Sequence, residues 1–439
     1  MANALLVTVG CLRADHVGAY GYDRPTTPTL DRLAAEGIAL DGYANSPGTR
    51  RALRTIHTGA YSPQFDGVGL PEGIDFTLAG TFRSVGYDTA GFAFNGSLTR
   101  DDGYQQGFDR FDDVSTFRET DIDALDRLKV RAIEHLPNGA LRRLAPAFYR
   151  VRGAVNDGQY RPVVVDAAVV DAARDWIRSR EGDWFAWVHL TDAHTPYARW
   201  DDHLAALRGD TDVEHVVDPS RHLEAGGTVD RAAIDAYDAG IRSADAQLAR
   251  LLDAVDDGTT VVVTGDRGEE FGRYHDVHTA SLHSSVTQVP FVVRSPALVD
   301  GANGRIEATA QHVDVAPTLA DATGVSRREQ WVGKSVLIPQ SDAGPIHHAV
   351  ADVAGVRVGE WKLIEERGTD EPALYRTPYG EHDGAPTEDD RRADLVRAFE
   401  RHRSWCEEHR LGAGKSDDYD GTNVSEPVES NPRDLGYVE

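Results

Sequence analysis

The chain is short of three side chains. Its 439 residues include two cysteines, one methionine and only four lysines, Lys129, Lys334, Lys362 and Lys415, among 46 basic residues. Two cysteines, Cys11 and Cys406, give no disulfide framework, so stability must come from a packed core, which a chain of this length can build. The lysine deficit accompanies an acidic excess: 72 Asp and Glu residues give a formal charge of −26. Such a surface repels polyanions and argues against nucleic acid or an anionic membrane as a partner. It suits a high-salt medium, where the Debye length falls to about 3 Å at 1 M. The opening MANALLVTVG has no basic segment before its apolar residues, and no apolar run is long enough to span a bilayer. The expectation is a cytoplasmic protein without membrane insertion. There are no internal repeats.

Chemistry concentrates between Thr259 and Val293. Thr260 to Val263 is β-branched without alternation, the pattern of a strand buried on both faces, and it stops at Gly265. Asp266, Arg267, Glu269 and Glu270 follow, then His275, His278 and His283, then a second apolar strand from Val289 to Val293. Ligands of open α/β sheets bind beyond the carboxyl ends of the strands, so Asp266 is a candidate site residue in a metal or oxyanion pocket. Two further strands end in polar clusters. Ala4 to Val9 ends at Gly10, beside Cys11, which reads as a small buried side chain. Phe185 to Leu190 ends in TDAHTPY, carrying Asp192 and His194. A helix is expected from Arg50 to His57, with Thr49 as its N-cap and Gly59 as its stop. Arg50 and Arg51 would strengthen the anion-binding character of that N-terminus. Helices are also expected after Thr29 as N-cap, over 163–179, and from Arg231 to Leu252.

The segment TGDRGEEFG with VPFVV, the opening LRADHVGAYGY with PTTPTLDRLAAEG, HLTDAHTPY, and the closing GEWKLIEE together resemble the sulfatase family of the alkaline-phosphatase superfamily. The resemblance implies an α/β fold: a large, mostly parallel sheet flanked by helices, with a smaller C-terminal α+β subdomain. It implies a sulfatase-like domain over 1–325 with a helical insertion or lid at 116–162. A subdomain over 326–411 and an acidic linker and tail over 412–439 would follow. The cofactor implied is a divalent metal such as calcium or magnesium, held in part by Asp266. His194 corresponds to the family histidine that contacts the sulfate or phosphate oxygens, and His278 falls near its cationic residue. Thr49 takes the place of the nucleophile, so Thr49, His194 and His278 are the candidate catalytic residues. Arg50, Arg51 and Arg267 are the candidate anion-binding residues.

The same alignment of motifs exposes three departures. Gly10 stands where the family has a metal-binding Asp, and Arg267 where it has a metal-binding His. Thr49 stands where Cys or Ser becomes formylglycine, and its extra methyl on the β-carbon rules that aldehyde out, so no formylglycine is expected. Arg267 cannot ligate a metal and is expected to pair with Asp266 in the cation's place. Another ligand set, Asp266 with Asp15, His16 or His278, stays open. Two functions follow. One is a metal-dependent hydrolase of small sulfate or phosphate esters with weak or lost activity. The other is a catalytically silent protein of the same fold that binds a sulfated or phosphorylated glycan, or a partner protein.

Overall fold

The computed structural model describes residues 2–121, 165–195, 197, 200–210, 228–272, 281–299, 302–338, 344–350, 352–366, 368–369, 371–377 and 389–415. Its strands are β1 (Ala4–Val9), β2 (Ile38–Tyr43), β3 (Phe65–Asp66), β4 (Asp88–Ala93), β5 (Arg110–Asp112), β6 (Trp184–Leu190) and β7 (Thr260–Gly265). They continue with β8 (Gln288–Arg294), β9 (Gly304–Gln311), β10 (Ile346–Val350), β11 (Val353–Val358), β12 (Trp361–Glu366), β13 (Ala373–Arg376) and β14 (Gly412–Ala413). Eight of them form the main sheet in the order β5-β4-β6-β1-β7-β8-β2-β9. All neighbours run parallel except at β8, which is antiparallel to both β7 and β2. β1, β6 and β7 are buried along their whole length, which is why their sequences are apolar without alternation.

Successive residues of β1 feed opposite faces. Leu5, Val7 and Val9 join the core beneath helices Pro28–Glu36, Val165–Arg178 and Arg231–Leu252. Ala4 and Leu6 join the opposite core, with helices Thr49–Thr58, Leu78–Ser84 and Val315–Thr323. Each fully buried Leu or Val contributes about 1.5–3 kcal/mol, so the central strands fix the crest on which the site stands. Register aligns that crest: Val9 faces Leu190 on one side and Gly265 on the other.

Beyond the main sheet, β10 to β13 form an antiparallel sheet in chain order, covered by helix Arg392–Glu408. Residues before it, including Trp331, Val336 and Leu337, pack into the core of the large domain. The chain from 412 pairs back onto that domain, β14 with β3 and Lys415 with Val68, while 416–439 lie outside the described residues. The segment expected as an insertion starts within helix Val114–Asp121, and 122–164 also lie outside. No described helix is long and apolar enough to cross a membrane.

Two expected helix starts are corrected. The first helix begins at Pro28 after Thr27, and Thr29 lies inside it. Its end is capped from a distance: Asp245 accepts the N–H groups of Thr29 and Leu30, both at 2.9 Å. Thr49 is likewise the first helical residue, not the cap. Gly48, with extended backbone, occupies the cap position, which frees the Thr49 hydroxyl for another partner.

Candidate functional site at the crest of the main sheet

Three turns meet where β1, β6 and β7 end. Asp266 follows β7 directly, its N–H held by the carbonyl of Val9 at 3.1 Å. Its carboxylate is fully buried. Oδ1 accepts the N–H of Cys11 at 3.0 Å and Oδ2 accepts the hydroxyl of Thr49 at 2.8 Å. Burial alone would raise its pKa. The field of Arg267, then that of His189 and the two hydrogen bonds, reverses this and holds the group below the ordinary carboxylate value.

Arg267 is 2 % exposed. Among the described residues it forms no direct ion pair with Asp266, so the expected pairing is corrected. Nη1 donates to the Cys11 sulfur at 3.0 Å and Nη2 to His194 Nε2 at 3.0 Å, while buried Nε has no partner. Its charge reaches Asp266 through space. The reason is local backbone: Cys11 adopts φ 61°, rare for a residue with a Cβ, and its sulfur meets the guanidinium. Tyr237, from helix Arg231–Leu252, locks this turn by donating to the Cys11 carbonyl and accepting from the Arg13 N–H. Cys11 is buried as expected, and burial raises its thiol pKa well above the ordinary value, so it is no nucleophile.

His194 reaches the site because the turn after β6 packs against the same helix. At Gly240 a Cβ would sit 2.5 Å from the Asp192 carbonyl. The ring accepts from Arg267 through Nε2 and meets the Thr195 carbonyl through Nδ1, so the proton resides on Nδ1. In this arrangement Nε2 has no proton to give a leaving group. Beneath the turn, Asp166 accepts the N–H groups of Thr191 and Asp192, both at 2.8 Å, and burial raises its pKa to about 6.

Sequence reasoning assigned nothing to two buried histidines. His189, the first histidine of HLTDAH, faces Gly10: a Cβ there would lie 3.8 Å from its Nε2, which has no hydrogen-bond partner. His312, from HVDVAP, contacts the Gly265 carbonyl through Nε2 at 2.9 Å and leaves Nδ1 without a partner. Burial lowers both pKa values to about 4, so both rings are neutral at pH 7. The signal was available: each sits at or next to the end of a strand beside the crest.

The remaining candidates divide. Arg50 and Arg51 follow Thr49 in the helix; the Arg50 carbonyl accepts the Tyr104 hydroxyl, and Arg51 lines a cleft toward β10 and β11. His278 lies outside the described residues. Asp15 is bound to Arg13 and His16 to Asp238, so the structure does not offer them to Asp266.

A divalent metal fits these residues poorly. Among the described residues no group of three His, Cys, Asp or Glu side chains is placed to hold one. Among the described residues Asp266 is the carboxylate that Thr49 bonds, and Gly10 supplies no side chain. A buried guanidinium acts on that carboxylate through its field, so a dication would meet a like charge already in place.

The sulfatase family model matches residues 2–325. No curated protein matches the chain. Among solved structures, the protein Ps i-CgsB in complex with k-i-k-neocarrahexaose is similar at TM-score 0.65 and 16% identity, covering 94% of this chain and 95% of that one. The phosphonate monoester hydrolase of Agrobacterium radiobacter is similar at TM-score 0.62 and 18% identity, over 93% and 96% of the two chains. A 2-O GAG sulfatase is similar at TM-score 0.61 and 16% identity, over 93% and 91%. At these identities the likeness is one of fold.

Proposed function

The chain belongs to the sulfatase family, and we propose that it binds the tetrahedral anionic group of a sulfate or phosphate ester at the crest of β1, β6 and β7, with sulfate-ester hydrolysis weak or lost. The observation that carries this reading is the 2.8 Å hydrogen bond from the Thr49 hydroxyl to Asp266. Thr49 opens a helix of ten residues, whose free N–H groups favour an anion. Its side chain is a secondary alcohol, which cannot become the aldehyde whose hydrate attacks sulfur. As an unmodified alcohol it could attack phosphorus, passing its proton to Asp266 while the ester O–P bond breaks and the ester's alcohol leaves, taking a proton from water. Asp266 is a weak base for that task, because the field of Arg267 and its hydrogen bonds hold its pKa below the ordinary carboxylate value while an effective base works near neutrality. Slow phosphoryl transfer or simple binding follows from that mismatch.

Turnover of 4-nitrophenyl sulfate and 4-nitrophenyl phosphate, with mass analysis of the Thr49 peptide, tests the reading. The expected result is an unmodified Thr49, no sulfate-ester turnover above that of Thr49→Ala, and any phosphate-ester turnover abolished in that variant. Sulfate-ester turnover that disappears in Thr49→Ala would overturn it.

A second reading, silent binding of a sulfated or phosphorylated glycan, is favoured by the neighbouring cleft. This space of about 610 Å³ lies between helix Thr49–Thr58 and the small sheet, lined by Arg51, Arg54, Arg403 and Arg410 and equally by acidic residues, among them Asp66 and Glu365, which pair with Arg410 and Arg403. Its size suits a sugar-sized ligand. Calorimetric binding of a sulfated oligosaccharide without turnover of either ester would select it.

A further inference from the structure

We infer that this chain has exchanged the metal of its family for protein donors, so that Arg267 and His189 hold a tetrahedral oxyanion without any divalent cation. The inference rests on the anionic-ester reading above and adds what recognises the anion.

The first observation is how Arg267 is held. Among the described residues its two terminal nitrogens go to a thiol, a neutral imidazole and, at 3.5 Å, the Gly268 carbonyl; Asp266 and Glu269 act on it through their fields, and no carboxylate meets it by contact. Buried arginines are normally neutralised by contact with carboxylates, and a buried cation without one is costly unless an anion arrives. The nearest carboxylate on the loop after Arg267, Glu269, already accepts the N–H groups of Glu270 and Phe271 through Oε1.

His189 supplies the second. Its Nδ1 lies 2.9 Å from the Thr8 hydroxyl, and Thr8 accepts the indole N–H of Trp187 at 3.0 Å. Tryptophan can only donate, and the Thr8 hydroxyl has no other acceptor among the described residues, so its proton is used on Nδ1 and the ring proton resides on Nε2. That N–H is fully buried, has no partner and faces the hollow at Gly10. An unsatisfied buried donor is costly, and an oxyanion oxygen would relieve it. The hollow is the place the family's metal-binding Asp would fill: a Cβ at Gly10 meets nothing closer than 3.5 Å, and Gly10 does not have positive φ. A Cβ there meets only ordinary contacts, and an aspartate would bring a carboxylate toward this donor. The three departures thus act together. Gly10 leaves the space open, His189 points a donor at it, and the field of Arg267 reaches both His189 and Asp266, the partner of Thr49.

The test is calorimetric binding of inorganic phosphate and of sulfate to the full chain, with a chelator and again with added calcium, magnesium, manganese or zinc. The expected result is binding of equal affinity with and without chelator, weakened at least about tenfold in Arg267→Met and in His189→Leu, the change expected for losing one hydrogen bond to a charged group. Denaturant unfolding of each variant verifies that it is folded. Should either fail to fold, the double variant Gly10→Asp, Arg267→His carries the test. Elemental analysis after dialysis should find about one divalent metal per double-variant chain and none in the native chain. Phosphate binding that requires a metal in the native chain, or a stoichiometric native metal lost in Asp266→Ala, overturns the exchange while leaving the anionic-ester reading in place. Failure to bind either anion under any condition overturns both.

Discussion

Arg24 and Arg267 are both buried arginines beside buried aspartates, yet they are treated in opposite ways. Arg24 contacts Asp235 at 2.7 Å and also Asp238. Around them Arg208 and Arg231 reach Asp235 at 3.1 Å, and His16 and Tyr22 reach Asp238 at 2.7 and 2.6 Å. Every charge there is met by contact, and the network ties the loop after β1 to helix Arg231–Leu252. Arg267 instead contacts a thiol and an imidazole, and acts on Asp266 only through its field. In the first arrangement each charge touches an opposite one, although Arg24 Nη2, 2.7 Å from Asp235, makes no aligned hydrogen bond, and it reads as structure. The second retains unspent charge and an unused donor, which is the condition of a binding site.

The largest effect that would break this contrast is on stability at the Arg24 network. Arg24→Met leaves Asp238 with only His16 and Tyr22, and removing one partner of a buried ion pair costs about 3–5 kcal/mol. Denaturant unfolding should show that loss at pH 7 with no change in phosphate affinity once the folded state is populated. A cost below about 1 kcal/mol would show that the network is as loosely coupled as the Arg267 centre.

A smaller effect separates the two regions by pH. His57 is fully buried against Trp187, ring centroids 4.3 Å apart, and burial lowers its pKa to about 3 from the ordinary 6.5. Between those values the unfolded chain binds a proton that the folded chain refuses. Its contribution is therefore present above pH 6.5 and is lost as pH falls toward 3. Relative to His57→Phe, the native chain should lose about 2 kcal/mol on going from pH 7 to pH 5. The comparison cancels the opposing effect of Asp166, Asp245 and Asp314, whose pKa values burial raises to about 6. Parallel pH curves for the two proteins would show that His57 is protonated in the fold.

Much of this was legible in the sequence because it depends on burial. β1 and helix Arg231–Leu252 fall where their apolar patterns place them, and β7 stops at the glycine before Asp266. The reversed direction of β8 was not legible, since a buried strand has the same apolar pattern in either direction. Thr49 was misplaced by one residue because any small residue can cap, and Gly48 adopts the extended cap conformation. That shift matters chemically, since a capping hydroxyl would face its own helix rather than Asp266. The direction of Arg267 depends on the positive φ of Cys11, some 256 residues away in the chain, and no local pattern carries that.

Asp245 gives a third, smaller test of what complete satisfaction by neutral donors is worth. It accepts two N–H groups at the start of helix Pro28–Glu36 and has no cation in contact among the described residues. Asp245→Ala should cost about 1–2 kcal/mol, the range of a lost helix cap. A cost near that of Arg24→Met would mean that helix capping across the core, and not ion pairing, anchors this part of the molecule.

The smallest expected effect is the most discriminating. Arg267→Met removes a buried cation whose partners are a thiol and an imidazole, neither of which becomes an unpaired charge. Asp266 loses a favourable field but keeps the Cys11 N–H and the Thr49 hydroxyl. The desolvation relieved by removing the guanidinium opposes the lost field, so stability at pH 7 should change by no more than about 1 kcal/mol. The same substitution is expected to weaken anion binding at least about tenfold. A stability cost as large as that of Arg24→Met would mean that Arg267 is a second structural cation, and the distinction drawn between the two arginines would fail.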